Sequence, residues 1–133
     1  MKAVFADTFY YLALLSPRDS AHAQAVSITR RLRSRLVTTA WVLTEVGDAM
    51  SLPKDRELFM ALLDGLNGNP KVTIVPAGQG LFDRGVEFFR KRPDKEWTLT
   101  DCISFVVMAD EELTDALTGD HHFKQAGFKA LLK

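Results

Sequence analysis

The feature that most constrains the fold is a helical segment that is apolar on nearly every side. It lies in DKEWTLTDCISFVVM (94–108), where Cys102, Phe105 and Val106 share one helix face and Ile103 lies on another. A helix of this kind is normally buried, so the rest of the chain must cover it. Its first turn nevertheless carries a carboxylate, Asp101, three residues after a threonine, which is the spacing of a capping box. Asp101 therefore either complements the positive end of the helix dipole or belongs to a buried site.

Length and charge limit the class of protein. The 133 residues match one ordinary domain, 1–133, that can bury a substantial core. Seventeen basic residues balance seventeen acidic ones, so the chain does not coat nucleic acid by bulk charge, and any attraction must come from local patches. The single cysteine, Cys102, cannot form an internal disulfide, which fits a reducing compartment such as the cytoplasm.

The N-terminal segment MKAVFADTFYYLALL is apolar, but Asp7 interrupts it and no small-residue cleavage pattern follows. We therefore expect no signal peptide here. No uncharged apolar run is long enough to span a bilayer, so we expect no membrane association.

Short apolar or β-branched runs alternate with helical patterns along the whole chain. Strands are predicted at 2–6, 36–39, 71–75 and 115–118, with FKALL (128–132) as a possible edge strand. Helices are predicted at 9–15, 21–33, 41–51, 54–66, 81–90, from 101 onward, and at 121–126, and Phe82, Val86 and Phe89 are expected to face inward. This alternation favours an α/β fold with a mainly parallel sheet flanked by helices.

Four carboxylates are expected to meet at one edge of that sheet. Asp7 follows the first strand, Glu45 lies in the apolar stripe of the helix after the second, Asp101 opens the central helix, and Asp120 follows the fourth strand. Ligands bind at the carboxyl ends of parallel strands, and acids converging there raise one another's pKa values. Mg²⁺ or Mn²⁺, which prefer oxygen ligands, would remove the conflict and could activate water for phosphodiester hydrolysis. The alternatives are that Asp101 only caps its helix and that Glu45 is solvated at the edge of its stripe.

The sequence gives little support for any other class of catalytic or binding site. The sequence contains no Walker loop, no GxGxxG after a strand and no CxxC. His121 and His122 are adjacent on a predicted helix and point in different directions, so surface or packing roles are expected for both. Basic residues near two helix ends either complement the helix dipole or contact RNA phosphates; they include Arg30, Arg33, Lys91 and Arg92.

Four stretches resemble a known family, the PIN-domain nucleases, and within it the bacterial VapC-like branch. They are VFADTFYYLALL, VTTAWVLTEV, EWTLTDCISFVVM and DALTGDHHFKQAGF, which together cover nearly the whole chain. The resemblance implies a PIN-like three-layer sandwich whose acidic quartet is Asp7, Glu45, Asp101 and Asp120. Asp7, Asp101 and Asp120 would ligate Mg²⁺ or Mn²⁺, with Glu45 as a ligand or as the group that orients water. Thr8 and Ser104 match positions that support the quartet by hydrogen bonding.

The same resemblance implies an activity and partners. It implies a metal-dependent endoribonuclease that hydrolyses single-stranded RNA to a 5′-phosphate and a 3′-hydroxyl. It also implies a homodimer and, commonly, a toxin paired with a small antitoxin protein. Two alternatives stay open: a nuclease acting on structured nucleic acid, and a catalytically idle module that docks a partner on the apolar face of Tyr10, Tyr11, Leu14 and Leu15. His22 is assigned a packing role.

Overall fold

The structure, a computed structural model, describes residues 2–133. Strands and helices alternate along these residues, as the sequence predicts. Their order is β1 (Ala3–Ala6), α1 (Thr8–Leu15), α2 (His22–Arg31), β2 (Arg35–Thr39), α3 (Ala40–Ala49), α4 (Pro53–Asn67), β3 (Val72–Val75), α5 (Gln79–Lys91), α6 (Leu99–Asp110), β4 (Asp115–Leu117), α7 (His121–Gln125) and β5 (Lys129–Ala130).

The five strands form one sheet in the order β3-β2-β1-β4-β5, and every pairing is parallel. The central strand β1 pairs Phe5 with Val37 on one side and with Ala116 on the other. The predicted α/β sandwich with a parallel sheet is confirmed, and the FKALL segment contributes the short edge strand β5. Since all strands run the same way, their carboxyl ends lie along a single edge, and this edge carries the candidate site.

The apolar helix α6 is buried along most of its length, as its sequence requires. Phe105 of α6 packs against several aromatic rings. The centroid of the Phe105 ring lies 5.1 Å from that of Trp97, 5.0 Å from that of Phe123 and 5.7 Å from that of Phe128. These contacts join α6 to the loop before it, to α7 and to the C-terminal segment. The aromatic cluster therefore holds α7 against α6.

The prediction that Phe82 and Phe89 face inward is wrong, because these side chains are 37% and 50% exposed. Instead α5 turns Gly85 and Phe88 towards the interior. A Cβ on Gly85 would lie 2.3 Å from Ile103 Cγ1, so the glycine allows α5 and α6 to approach closely. The covered face of α5 carries Leu81, Gly85 and Phe88, at the i, i+4, i+7 spacing of a helix.

The two tyrosines of α1 belong to the core. Tyr10 and Tyr11 are buried, and the Tyr10 hydroxyl pairs with Thr29 Oγ1 at 2.6 Å. The expectation that they form an open docking face is therefore wrong, since α2 and α3 pack against α1. His22 has the packing role assigned to it, because its Nδ1 lies 2.8 Å from the carbonyl oxygen of Ala13. No helix within residues 2–133 has the length and apolar character needed to cross a bilayer.

Candidate metal-binding site

Two aspartates follow neighbouring strands at the carboxyl edge of the sheet. Asp7 ends β1 as the N-cap residue of α1, and Asp120 stands between β4 and α7 as the N-cap residue of α7. Thr118 connects them: its hydroxyl donates to Asp7 Oδ2 at 2.8 Å and accepts from the backbone N–H of Asp120 at 3.1 Å. The pairing of β1 with β4 thus brings together two residues 113 positions apart in the chain.

Asp101 joins this pair from the first turn of α6. The predicted capping box is present: Thr98 Oγ1 accepts from the Asp101 backbone N–H, and Asp101 Oδ2 accepts from the Thr98 backbone N–H. The same Oδ2 lies 2.9 Å from His122 Nδ1, which is also 3.4 Å from Asp120 Oδ1. Asp101 therefore both caps its helix and belongs to a buried cluster, so the two readings of this residue are compatible.

Glu45 reaches the same region from α3. Its Oε1 accepts a 2.6 Å hydrogen bond from Thr8 Oγ1, and Thr8 directly follows Asp7 in the chain. Helix α3 starts immediately after β2, where Thr39 caps it by accepting from the Val42 N–H. The four acids chosen from the sequence thus lie in one connected group at one edge of the sheet. The chemical roles assigned to them remain predictions.

Each of the four carboxylates has one oxygen that accepts a hydrogen bond from a side chain or a helix N-terminus. The oxygens in use are Asp7 Oδ2, Glu45 Oε1, Asp101 Oδ2 and Asp120 Oδ1. Among residues 2–133, no side chain or backbone N–H group donates a hydrogen bond to the second oxygens of Glu45, Asp101 and Asp120, whereas the backbone N–H of Thr8 also acts on the Asp7 carboxylate and lowers its pKa. Carboxylate oxygens are the donors that Mg²⁺ and Mn²⁺ prefer, so the chemistry of these side chains fits the cation that the sequence implied. Within the described chain, the three ligand atoms that lie within 4.8 Å of one another are those of Asp120, His121 and His122.

The electrostatics of the site also favour a cation. Asp7 and Asp101 are only 4% and 6% exposed, and no Lys or Arg of the described chain forms an ion pair with any of the four acids. Burial, with smaller contributions from the charges of Asp101 and Asp120, raises the pKa of Asp7 to about 7, although the hydrogen bond from Thr118 opposes this. Burial likewise raises the pKa of Asp101. Buried carboxylates that lack a basic partner are costly, and a divalent ion would compensate them.

Removing the Asp7 charge should stabilise the metal-free protein. A carboxyl group whose pKa is higher in the folded than in the unfolded state contributes stability that is lost as the pH rises from about 4 to about 7. At pH 8 in EDTA, Asp7→Asn should therefore raise the free energy of unfolding by about 2–4 kcal/mol and the Tm by more than about 5 °C. Thermal melts at pH 4.5 and pH 8 test this, because the gain should fall to about 1 kcal/mol at the lower pH.

The exposed acid Asp48, on the same helix as Glu45, provides the control for this measurement. Its change to Asn should leave the Tm within about 1–2 °C at both pH values, since surface substitutions change stability by at most about 0.5 kcal/mol. A destabilised Asp7→Asn variant at pH 8 would contradict the assignment of a buried, uncompensated charge to Asp7.

The two predicted supporting residues behave differently. Thr8 holds Glu45, as described above. Ser104 is fully buried, but its Oγ has no hydrogen-bond partner among residues 2–133, so the predicted bond to the quartet does not form. Ser104 follows Asp101 by three residues and so shares its helix face. A buried hydroxyl without a partner costs about 1–3 kcal/mol. An ion or water bound beside Asp101 would reduce that cost.

The predicted RNA-contacting residues lie at opposite edges of the sheet. Arg30 and Arg33 stand where α2 ends and the chain enters β2, at the amino end of the strands. The length of β1 separates this edge from Asp7 by roughly 13 Å. Lys91 and Arg92 lie at the end of α5, which runs antiparallel to α6, as the pairs Arg84–Asp110 and Phe88–Phe105 show. They are therefore near the start of α6, at the end of the fold that carries Asp101.

The sequence interpretation did not identify two residues of the cluster, Thr118 and His122. Thr118 was assigned only to a strand, although its place two residues before Asp120 puts it at the same sheet edge. His122 was expected at the surface or in packing, but it is 15% exposed and contacts Asp101 and Asp120. His121 is 71% exposed, as expected. The rule that functional side chains lie at the carboxyl edge of the sheet would have identified His122 if it had been used for histidines as well as for acids.

An apolar cavity of about 480 Å³ lies elsewhere, between α5, α6 and the segment that joins α7 to β5, and is lined by Phe88, Phe105, Val106 and Phe128 among others. The charged residues at its rim already form pairs, Arg84 with Asp110 and Lys91 with Glu87. It contains none of the four acids. The carboxylate cluster is therefore the better candidate for chemistry.

Comparisons with known proteins support the fold. No protein-family model matches the sequence, and no curated protein matches it. Among solved structures, the chain is similar to Mycobacterium tuberculosis VapC20, a toxin that cleaves the sarcin-ricin loop, with a TM-score of 0.88 and 21% identity over 98% of this chain and 99% of that one. It is also similar to FitAcB from Neisseria gonorrhoeae (TM-score 0.65, 16% identity, 96% and 94% coverage). A third similar structure is VapBC2 from Rickettsia felis, bound to a promoter DNA fragment (TM-score 0.69, 12% identity, 98% and 99% coverage). The PIN-like fold is thereby confirmed.

Proposed function

We propose that this chain is a Mg²⁺- or Mn²⁺-dependent endoribonuclease of the VapC-like PIN class, which hydrolyses single-stranded RNA as the toxin of a type II toxin–antitoxin pair. One observation carries the proposal: contacts through Thr118, His122 and Thr8 connect Asp7, Glu45, Asp101 and Asp120 at the carboxyl edge of the sheet. The fold shared with VapC20, a toxin that cleaves RNA of the sarcin-ricin loop, supports the substrate class.

Asp7, Asp101 and Asp120 would hold the cation, with Glu45 as a further ligand or as the group that orients water. A divalent ion bound there would stabilise charge developing on the phosphate and lower the pKa of water. The protein's own contribution is positioning. Thr118 joins Asp7 to Asp120, and Thr98 fixes Asp101 through the capping box. These bonds hold the carboxylates in place before a ligand arrives, which reduces the cost of organising the site.

Glu45 is the member best placed to handle a proton. It is partly exposed, as Asp120 is, whereas Asp7 and Asp101 are buried, so water and substrate can reach it. Asp120 is one of the three proposed ligands, which leaves Glu45 for the proton. Thr8 holds its Oε1, which leaves Oε2 free to accept a proton from an attacking water. Attack in line on phosphorus would then give the 5′-phosphate and 3′-hydroxyl that the resemblance implies.

RNA would approach past the end of α5. Lys91 pairs with Glu87, and Arg92 pairs with Asp94 and lies 5.0 Å over the ring of Trp97. These ion pairs are exposed and therefore weak, so phosphates can replace the acidic partners. Arg30 and Arg33, at the opposite edge, could contact only phosphates distant from the scissile bond.

The proposed partners follow from the toxin role. We extend to this chain an antitoxin protein, a homodimeric assembly and a cytoplasmic location, as the resemblance implies. The shared fold with VapC20, VapBC2 and FitAcB supports this extension. The alternative of an idle docking module is weakened, because two of the four residues proposed for its docking face, Tyr10 and Tyr11, are buried in the core.

Metal titration and RNA cleavage test the proposal together. The purified protein should cleave a single-stranded RNA oligonucleotide in Mg²⁺ or Mn²⁺ and stop in EDTA. Calorimetry should show saturable Mn²⁺ binding that Asp101→Asn abolishes, because the carboxamide removes one charged ligand from a three-aspartate set. Asp48→Asn should bind Mn²⁺ as the wild type does, since Asp48 is exposed. An absence of both metal binding and cleavage in the wild type would exclude the nuclease and leave the idle module.

A further inference from the structure

We propose that His122 is a positioning residue of the metal site, which holds the carboxylates of Asp101 and Asp120 in the arrangement that binds the cation. The inference rests on the proposed function, because it assigns a role to a neighbour of that site. It differs from the expectation drawn from the sequence, which placed His122 at the surface or in packing.

His122 contacts both acids through different atoms. Its Nδ1 lies 2.9 Å from Asp101 Oδ2 and 3.4 Å from Asp120 Oδ1, and its backbone N–H donates to Asp120 Oδ1 at 2.9 Å. An ionised carboxylate can only accept a hydrogen bond, so Nδ1 carries the hydrogen in the bond to Asp101. This holds for the neutral and the charged imidazole alike. A single residue of α7 therefore connects two acids that come from different elements.

The bond also selects which Asp101 oxygen remains available. Asp101 Oδ2 accepts from both the Thr98 backbone N–H, at 3.1 Å, and His122 Nδ1. Two donors on the same oxygen fix the plane of the carboxylate, and its Oδ1 receives no hydrogen bond from residues 2–133. Groups that orient metal ligands in this way affect metal affinity although they do not touch the ion.

The packing of α7 gives the histidine a fixed place. The next residue, Phe123, is fully buried, and its ring centroid is 5.0 Å from that of Phe105 in α6. The His122 side chain is 15% exposed and lies beside the ring of His121, at 4.5 Å between centroids. Since the aromatic cluster anchors α7, the imidazole is held at the acids instead of sampling solvent.

Substitutions at 122 separate the hydrogen bond from the bulk of the ring. Asn keeps an N–H donor near the position of Nδ1, whereas Leu fills similar space without a donor. Mn²⁺ affinity measured by calorimetry should fall about 10–100-fold in His122→Leu, the range seen when such orienting groups are lost. His122→Asn should recover most of that loss. Asp48→Asn is the control and should bind as the wild type does, because that side chain is exposed. His121 cannot serve in this way, since its ligand nitrogen lies within 4.8 Å of the ligand atoms of Asp120 and His122.

Thermal melts in EDTA should accompany each titration. Wild-type Mn²⁺ affinity in a folded His122→Leu variant would overturn the positioning role while leaving the proposed nuclease intact. Equal weakening in His122→Leu and His122→Asn would also overturn it, because the donor would then be irrelevant. If the wild type itself binds no Mn²⁺, both the positioning role and the proposed function fail.

Discussion

Asp7→Asn should reduce RNA cleavage by more than about 100-fold, since even groups that only orient metal ligands account for about 10–100-fold. The carboxamide has nearly the shape of the carboxylate, and its oxygen can still accept the hydrogen bond from Thr118. It cannot supply the negative charge that would hold a divalent ion. Cleavage of a labelled single-stranded RNA in Mn²⁺, with rates compared at equal protein concentration, measures the loss.

The melting temperature of the metal-free Asp7→Asn variant shows whether its loss of cleavage could come from unfolding. Asp7→Asn is expected to be folded and more stable than the wild type at pH 8, so inactivity cannot be attributed to unfolding. Asp48→Asn, on the exposed side of α3, should cleave at the wild-type rate. Undiminished cleavage by Asp7→Asn, once contaminating nuclease has been excluded, would remove Asp7 from the site and the mechanism with it.

Phe105→Ala should destabilise the protein by about 3–5 kcal/mol, the usual cost of removing a buried Phe side chain. Phe105 is 2% exposed and packs against Trp97, Phe123 and Phe128, so its loss opens a cavity where α6, α7 and the C-terminal segment meet. Urea denaturation followed by circular dichroism measures the change. Phe89→Ala, at a half-exposed position on α5, should remain within about 0.5 kcal/mol of the wild type.

The effect of Phe105→Ala should extend to the candidate site. Phe105 anchors Phe123, which neighbours His122, so a loosened α7 would place Asp120 and His122 less accurately against Asp101. We therefore expect weaker Mn²⁺ binding even under conditions where the variant is fully folded. A variant with wild-type stability would show that the aromatic cluster does not fasten α7, and the packing account of the site would then be wrong.

The stabilisation predicted for Asp7→Asn reflects a conflict between the stability of the fold and the binding of a cation. Asp7 and Asp101 are both buried and neither pairs with a Lys or Arg within residues 2–133, and burial raises the pKa of both. A chain optimised only for stability would replace them by apolar or neutral residues of the same size. The strain of the metal-free state is the expected cost of a site arranged for a cation, which is why the same substitution should stabilise the fold and abolish activity.

The sequence alone determined the features that depend on local pattern. The apolar run of α6, its capping box at Thr98 and Asp101, and the alternation of strands with helices all follow from short-range periodicity and turn chemistry. The meeting of Asp7 and Asp120 was also predictable, because the parallel sheet places the carboxyl ends of β1 and β4 at one edge. Their order in the chain and the rule for that edge were sufficient.

Only the tertiary structure decided what depends on contacts between distant segments. Helix α5 packs on α6 through Gly85 and leaves Phe82 and Phe89 exposed, and the packing of α2 and α3 buried Tyr10 and Tyr11. The direction of β2 placed Arg30 and Arg33 at the far edge. The bonds from Thr118 to Asp7 and from His122 to Asp101 join residues 111 and 21 positions apart. Such pairs cannot be predicted from local sequence, because the strand register and side-chain packing that create them form only when the whole domain folds.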